Sequence, residues 1–340
     1  MNLKQLAEHL GLSQTTVSRA LNGYPEVGEE TRKRVAEAAR MQGYHPNSNA
    51  RRLALGRTGT IGLTLPLGRG LSIDPLFAEF LGGLASKIAE SDSDLLIIPV
   101  KSEPEPIPRA SHLRSVDAVI ISAPGKDDPL VAQVRALKVP FVLHGRTNSS
   151  DPYAYLDIDN EGAFHRATDL LIDLGHSRIG LVNANPWLNF AADREIGWRA
   201  ALAARGFAAP DAYIRSGTLT EEASYRFAHE MLSLAEPPTA FLCSSMLSAL
   251  GIGRAIADLG LVVGADVSLI AHDDGLPSIR PTTMVPPLTT TFSSLRKAGE
   301  HIETMARALG NGADIAGHQE VWPVDIVFRG SAQRSRARKA

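Results

Sequence analysis

Side chains that can read the edges of DNA bases cluster near the N-terminus of this 340-residue chain. Gln14 can form two hydrogen bonds with adenine and Arg19 two with guanine, while the hydroxyl of Thr15 can bind bases or phosphates. Thr16 and Ser18 are candidate phosphate contacts. This combination predicts a DNA-contacting surface formed by Ser13, Gln14, Thr15, Thr16, Ser18, Arg19 and Asn22.

A helix-turn-helix would hold these side chains on one surface. Residues 3–10 have apolar helical spacing, and Asn2 and Gln5 are placed to form a capping box. Gly11 can end this helix and Ser13 can cap the next one, which would enter the major groove. An ordinary helical hairpin with a solvated outer face is the alternative for this segment taken alone.

The charge distribution supports a polyanion partner for this N-terminal head. The first 60 residues carry nine Lys and Arg against five Asp and Glu, so their net charge is +4 within a chain of net charge −2. The remaining residues are therefore acidic, with a net charge of −6. A basic head on an acidic body favours nucleic acid at the head.

From Gly59 onward, short apolar runs alternate with amphipathic stretches, which is typical of parallel sheets with crossover helices. The runs form two groups, about 60–158 and about 176–285, and we expect the stretch from Pro287 to Thr291 to return the chain toward the first group. The predicted fold class is α/β, with an N-terminal all-α helix-turn-helix head followed by two doubly wound parallel-sheet lobes.

Ligands of doubly wound sheets bind beyond the carboxyl ends of the strands, so the loops after the apolar runs are candidate binding segments. Phe77 follows the first run, and His144 and Arg146 follow the fourth. Trp187 offers an aromatic face on which a sugar ring could stack. His144 is equally consistent with a structural histidine, and Trp187 with a partly buried core residue.

Catalytic and metal motifs are not evident in the sequence. Asp157, Asp159 and Glu161 resemble metal ligands, but a helix cap near Asp159 or Asn160 explains them more simply. Cys243 is the single cysteine and is expected to be a buried thiol. Walker A and nucleophile-elbow motifs are missing, so we expect no enzyme, no cofactor and no metal.

Neither a membrane span nor a secretory signal is predicted. No apolar run approaches the roughly 20 residues that cross a bilayer. The N-terminus begins directly with a helical pattern rather than with a signal sequence. We therefore expect a cytoplasmic protein, associated with the nucleoid when bound to DNA, and not a secreted sugar receptor.

Several motifs occur in register along nearly the whole chain. They are VSRALNG at 17–23, TRKRV at 31–35, GYHPN at 43–47, ARRLA at 50–54, GHSRIGLV at 175–182, REIGW at 194–198, DVSLIAHDD at 266–274 and PPLTT at 286–290. In this combination the sequence resembles the LacI/GalR family of bacterial transcription regulators. The resemblance implies a body like that of the periplasmic binding proteins.

The resemblance also implies a hinge segment that folds into a short helix on operator DNA and places a leucine in the minor groove. Leu53 occupies that position, and an apolar wedge of this kind unstacks a base step. Asn47, Ala50 and Arg51 are the other DNA contacts predicted here. A plain linker helix over residues 50–55 is the alternative.

By the same motifs, Arg194 and Asp273 fall on positions that contact the effector in relatives. Arg194 supplies fixed donors and Asp273 supplies acceptors for sugar hydroxyls. Relatives commonly carry an Asn-Asp pair where this chain has Ser245 and Met246. The predicted effector contacts are therefore Phe77, His144, Arg146, Trp187, Arg194, Ser245 and Asp273.

Four segments follow from this interpretation. They are a helix-turn-helix domain at 1–46, a hinge at 47–58, a bilobal effector-binding and dimerisation domain at 59–330, and a basic tail at 331–340. The tail has no leucine heptad, so we expect a homodimer rather than a tetramer.

The predicted function is sequence-specific regulation of transcription. The resemblance implies a repressor dimer that binds a palindromic operator and is released by a small sugar or glycoside bound between the lobes. A purine or phosphorylated metabolite that acts as corepressor is the alternative. Phosphate recognition would require basic groups such as Arg69, Arg146 and Arg194 to converge.

Overall fold

The computed structural model describes residues 2–21, 23–44, 57–67, 74–91, 93–101, 113 and 115–335. The chain divides into two compact units, Met1–Thr58 and Gly59–Ala340. Several residues named above lie outside the described residues; they are Asn22, Asn47, Ala50, Arg51, Leu53 and Arg69.

Three helices form the described part of the first unit: α1 (Leu3–Leu10), α2 (Gln14–Leu21) and α3 (Glu29–Met41). Asn2 and Gln5 exchange side-chain to backbone hydrogen bonds of 2.9 Å, which confirms the predicted capping box. The three helices and Val27 of the connection before α3 share a small core, which consists of Leu6, Ala7, Val17, Ala20, Val27, Val35 and Ala39. This core fixes which face of α2 remains exposed.

Two six-stranded sheets form the second unit. The strands of the first lobe are β1 (Thr60–Leu67), β2 (Asp94–Lys101), β3 (Ala118–Ser122), β4 (Phe141–His144), β5 (Ala154–Ile158) and β11 (Gln319–Trp322). Those of the second lobe are β6 (Ile179–Ala184), β7 (Ile214–Gly217), β8 (Ala240–Cys243), β9 (Ser268–Asp273), β10 (Thr289–Phe292) and β12 (Asp325–Val327).

The two sheets have the same strand arrangement. Their orders are β11-β5-β4-β3-β1-β2 and β12-β10-β9-β8-β6-β7. Every pairing is parallel except that of β10 with β12. The predicted fold class, a helical head with two parallel-sheet lobes, is confirmed.

Helices cover both faces of each sheet. In the first lobe they are α4 (Pro75–Glu90), α5 (Pro129–Ala136) and α10 (Leu295–Gly310), and in the second α6 (Asn160–Asp173), α7 (Asn189–Ala204), α8 (Glu221–Leu232) and α9 (Met246–Asp258). Apolar strand residues pack against these helices on both faces of the sheet. For this reason every residue of β6, β8 and β9 is buried. Among the helices that the structure describes, none could cross a membrane.

The chain passes between the lobes three times. It leaves the first sheet after Ile158, returns after Phe292 and crosses again after Trp322. The expectation that Pro287 to Thr291 returns the chain to the first lobe is wrong, because β10 pairs with β9 in the second sheet. Thr289, Thr290 and Thr291 are fully buried and their hydroxyls have hydrogen-bond partners, so these β-branched residues fit a buried strand. The chain returns to the first lobe only beyond this strand.

Glycines allow the paired helices to approach closely. A Cβ atom at Gly251 in α9 would lie 2.1 Å from the carbonyl oxygen of Glu221 at the start of α8. Gly253, two residues further along α9, has no neighbouring atom within 4 Å of the same position. The two glycines therefore differ in packing while sharing one helix.

We predict that Gly251→Ala destabilises the second unit by about 1–3 kcal/mol, because the backbones of α8 and α9 must separate. Gly253→Ala is the matched control and should be neutral or stabilising by roughly 0.5–1 kcal/mol, since alanine is the better helix former. Urea unfolding of both variants measures the difference. Equal effects would contradict close packing at Gly251.

Candidate functional site

The exposed face of α2 carries the predicted base-reading residues. Gln14, Thr15 and Arg19 are exposed, whereas Val17 and Ala20 on the other face are buried. The apolar positions pack on the neighbouring helices and leave the polar ones to solvent. The structure thus brings these three predicted DNA contacts together on one helix face.

Two other predicted DNA contacts form the cap of this helix. The hydroxyl oxygen of Ser13 accepts a hydrogen bond from the backbone N–H of Thr16 at 3.0 Å, and the two hydroxyls lie 2.8 Å apart. Ser18, one turn before the helix end, is partly buried. Because the first four N–H groups of a helix lack intrahelical partners, the Ser13 cap stabilises the end that presents Gln14.

A cavity of about 190 Å³ lies between the two lobes of the second unit. Its lining comes from the carboxyl ends of strands and from the helices α4, α6, α7 and α10. Ile158, Ala184 and Gly217 lie at the ends of β5, β6 and β7, and Ser244 directly follows β8. This is the location expected for a ligand site in doubly wound sheets.

Arg194 of α7 is the central polar residue of this cavity. Its Nε donates to Asn160 Oδ1 at 2.8 Å and its Nη1 donates to the Ser244 carbonyl at 2.9 Å. The rings of Phe164 and Phe190 lie 5.0 and 4.9 Å from its guanidinium carbon. Burial lowers the pKa of Arg194 to about 10, so it remains charged at neutral pH.

A hydrogen-bonded chain continues from Arg194 into the first lobe. The amide nitrogen of Asn160 donates to Asp157 Oδ1 at 3.1 Å, and Arg146 Nε donates to Asp157 Oδ2 at 2.7 Å. Arg146 also lies 3.8 Å from the carboxylate of Asp193 in the second lobe. These contacts orient the Asn160 amide, and through it the guanidinium of Arg194.

Asp274 and His272 form a second polar wall. Asp274 Oδ2 is buried and has no hydrogen-bond partner among the described residues, and its Oδ1 lies 3.6 Å from His272 Nε2. Burial raises the pKa of Asp274 to about 7 although the charge of Arg194 lowers it. His272 is held by the hydroxyls of Thr291 and Ser293, each at 2.9 Å, and burial lowers its pKa well below the ordinary value.

The rest of the lining is mainly apolar and contains several aromatic side chains. His144 stacks on Phe80 with ring centroids 4.4 Å apart, and its Nδ1 lies 3.1 Å from the Ser122 hydroxyl. Burial lowers the pKa of His144 to about 4, so its ring is neutral. The apolar lining residues are Leu76, Phe77, Phe80, Ala123, Leu156, Ile158, Ala184, Leu188, Phe190, Leu219, Leu295, Ala298 and Trp322.

Three of the seven predicted effector contacts line this cavity, namely Phe77, His144 and Arg194. Asp273 does not; its Oδ1 accepts a hydrogen bond from Gly275 N at 2.9 Å. Successive side chains of an extended segment point to opposite sides, so Asp274 faces the cavity in place of Asp273. The same one-residue difference separates Ser244, which lines the cavity, from Ser245.

The other predicted contacts have structural partners instead. Ser245 caps α9 by accepting a hydrogen bond from Ser248 N at 3.1 Å. Arg146 is paired with Asp157 and lines a separate depression. Trp187 packs over Gly125 of the first lobe, where an added Cβ would lie 2.4 Å from the indole ring.

Several lining residues are not among the predicted contacts. Asn160 begins α6, and the helix cap predicted near it is Asp159, whose Oδ1 accepts from Gly162 N at 2.9 Å. Trp322 follows the polar residues Gln319 and Glu320 rather than an apolar run, so the pattern that indicates His144 does not indicate it. Among the described residues, no acidic or histidine cluster could hold a metal ion.

Known proteins match both units. Residues 2–47 match the family model of bacterial regulatory proteins of the lacI family, and residues 168–332 match a periplasmic binding protein-like domain. The regulator AglR of Rhizobium meliloti (strain 1021) is 47% identical over 97% of this chain and 94% of its own length. The chain belongs to the LacI family. It is a DNA-binding transcription regulator and not an enzyme.

Solved structures of this family resemble the whole chain. A lac repressor dimer bound to operator and the anti-inducer ONPF has a TM-score of 0.80 and 26% identity, covering 98% of this chain and 99% of that one. A complex of the regulator CelR with cellobiose has a TM-score of 0.71 and 26% identity, covering 97% and 99%. The LacI-family fold therefore extends over both units.

We predict that Asp274→Asn stabilises this LacI-family protein increasingly as pH rises toward 7. The raised pKa of Asp274 means that the folded state holds a proton that the unfolded chain has already released, so ionisation lowers stability between about pH 4 and pH 7. The advantage of the variant should grow by on the order of 2 kcal/mol between pH 5.5 and pH 8.

Urea unfolding at the two pH values measures this effect, with the exposed Asp325→Asn as control. The control should give the same stability difference from the wild type at both values. An Asp274→Asn difference that does not change with pH would show that the carboxyl is already ionised at pH 5.5.

Proposed function

We propose that this regulator is a repressor whose dimer leaves a palindromic operator when a neutral sugar or glycoside binds between the lobes. The observation that carries the proposal is the interlobe cavity, where Arg194 and Asp274 face a mainly apolar and aromatic lining. A fixed set of hydrogen-bond donors and acceptors beside aromatic rings suits a polyhydroxylated ring. We propose that the protein acts in the cytoplasm, where operator DNA lies.

The charges of the cavity favour a neutral effector over a phosphorylated one. Arg194 is the one cationic side chain among the described lining residues, and the lining also holds the carboxyl groups of Asp74, Asp157 and Asp274, the last only partly ionised at neutral pH because its pKa is about 7. Arg146, which phosphate recognition would need in the cavity, is engaged by Asp157. A phosphate group would therefore meet one guanidinium and no second cation of the described lining to balance its charge.

The position of the cavity supports a coupling between effector and DNA. Its lining includes Asn160, Ser293 and Trp322, which lie at the three crossovers between the lobes. A ligand that binds one lobe arrangement better than another shifts the equilibrium by its differential affinity. We propose that the sugar favours an arrangement in which the dimer no longer matches the operator.

Relatives with known ligands support the dimer and the sugar class. The lac repressor was crystallised as a dimer on its operator, and CelR as a complex with cellobiose. The exposed face of α2 supplies the side chains for base contacts in the proposed operator complex. Two such helices on a twofold dimer would read two half-sites.

The test is operator binding by the full-length protein at fixed salt, with and without a panel of compounds. The panel contains glucose, maltose, cellobiose, sucrose, trehalose, melibiose, nitrophenyl glycosides, hypoxanthine, guanine and glucose 6-phosphate. Release by a neutral sugar or glycoside is the expected result. Tighter binding with a purine or sugar phosphate would establish corepression instead, and release by none would overturn the proposal.

Adjacent carboxylates give a sharp test of the site. At pH 8, above the pKa of about 7 at which Asp274 ionises, Asp274→Asn should require at least about tenfold more sugar for half-release, because a charge-assisted hydrogen bond is worth roughly 1.5–3 kcal/mol. Asp273→Asn, one residue away and outside the cavity lining, should respond like the wild type. The reverse outcome would return the effector contact to Asp273.

We predict that Arg19→Ala loses roughly 1–3 kcal/mol of operator affinity and relaxes the preference at one base pair, as expected for bidentate recognition of guanine. Binding to a library of operator variants at one salt concentration measures this. Uniform weakening on all sequences, with a smaller salt dependence, would assign Arg19 to a phosphate.

A further inference from the structure

We propose that Trp322 is the specificity-determining aromatic platform of the cavity, which receives the apolar face of a pyranose ring, and that Glu320 and His301 fix its orientation. This inference rests on the proposed function, because it requires a sugar between the lobes. It adds a contact that the sequence motifs do not indicate and names the side chains that position it.

Hydrogen bonds hold the indole of Trp322 at the edge of the first lobe. Its Nε1 donates to Glu320 Oε2 at 3.2 Å, and Glu320 Oε1 lies 2.8 Å from His301 Nε2. The imidazole of His301 also contacts the indole, with ring centroids 5.3 Å apart. Since the one polar atom of the indole is already engaged within the protein, Trp322 offers apolar ring surface to the cavity.

The surroundings of this ring are apolar. Trp322 packs against the core of the first lobe, which includes Phe80, Leu156 and Ala298, and these residues also line the cavity. A pyranose ring carries its hydroxyls around the rim and C–H groups on its faces. Those C–H groups fit the electron-rich face of an aromatic ring, while the rim hydroxyls reach polar groups such as Arg194 and Asp274.

Trp322 also lies at a crossover between the lobes. It is the last residue of β11, and its carbonyl accepts a hydrogen bond from Asp159 N at 3.0 Å, which joins this crossover to the one after β5. A sugar ring that stacks on the indole is therefore next to two of the three connections between the lobes and can influence both. Occupancy of the platform favours one arrangement of these connections over another.

The chain has two other tryptophans, and neither lines the cavity. Trp198 is fully buried in the core of the second lobe. Trp187 packs over Gly125 at the contact between the lobes. This distribution allows tryptophan fluorescence to report on Trp322 with an internal control.

The experiment measures tryptophan fluorescence and operator release of the full-length protein with the neutral sugars and glycosides of the panel above. Trp322→Phe should remove most of the sugar-induced fluorescence change, whereas Trp187→Phe should lose only the smaller part that comes from lobe movement and retain the rest. Trp322→Leu should require about tenfold more sugar for half-release, relative to its own operator affinity, because the aromatic contact is lost.

Variants of Glu320 test whether the indole ring must be held in one orientation or only has to be present. Glu320→Gln keeps an oxygen that can accept from Trp322 Nε1 and should respond to sugar like the wild type. Glu320→Ala removes this acceptor, so it should shift the emission maximum of Trp322 and raise the half-releasing sugar concentration about threefold to tenfold. A shift in Glu320→Gln as large as that in Glu320→Ala would overturn the positioning role.

Three outcomes decide whether Trp322 is the platform for the sugar ring. Loss of the fluorescence change in Trp322→Phe alone supports it. An unchanged fluorescence response in Trp322→Phe, or half-release of Trp322→Leu at the wild-type sugar concentration, overturns it while leaving the proposed function intact. A wild-type protein that binds operator but responds to no sugar overturns the proposed function and the platform together.

Discussion

A buried guanidinium is the constraint on which the interlobe cavity depends. Taking the charge of Arg194 out of water is costly unless its N–H groups are paired and opposite charges are near. The partners come from separate places in the chain, Asn160 at the start of α6 and Ser244 directly after β8. The buried side chain of Arg194 therefore holds the crossover after β5 against the second sheet.

The same constraint links the two lobes. Asn160 can accept from Arg194 because its amide is oriented by Asp157, and Asp157 is in turn held by Arg146. The chain of hydrogen bonds runs from the second lobe to the first through the crossover after β5. A ligand that changes the environment of Arg194 acts on this connection directly, so the site needs no distant relay to influence the lobe arrangement.

Parallel topology explains why so many separated segments meet in one cavity. Strands of a parallel sheet all end at the same edge, and two sheets of identical order place two such edges on either side of the cleft. Residues as distant in sequence as Phe77 and Trp322 thereby line one space. The α8–α9 pair, whose close approach needs Gly251, packs on the second sheet without contributing a lining residue to the cavity.

The sequence by itself determined the helical head, the exposed face of α2 and the alternation of buried strands and helices, because capping residues and apolar periodicity act locally. It also indicated several of the segments that reach the cavity, but not the strand that carries Trp322. Only the tertiary structure decided which residue within each segment faces inward, Asp274 rather than Asp273 and Ser244 rather than Ser245. Neighbouring residues at a strand end point in opposite directions, so a shift of one residue decides whether a side chain faces the cavity. No pattern in the sequence specifies where the strand stops.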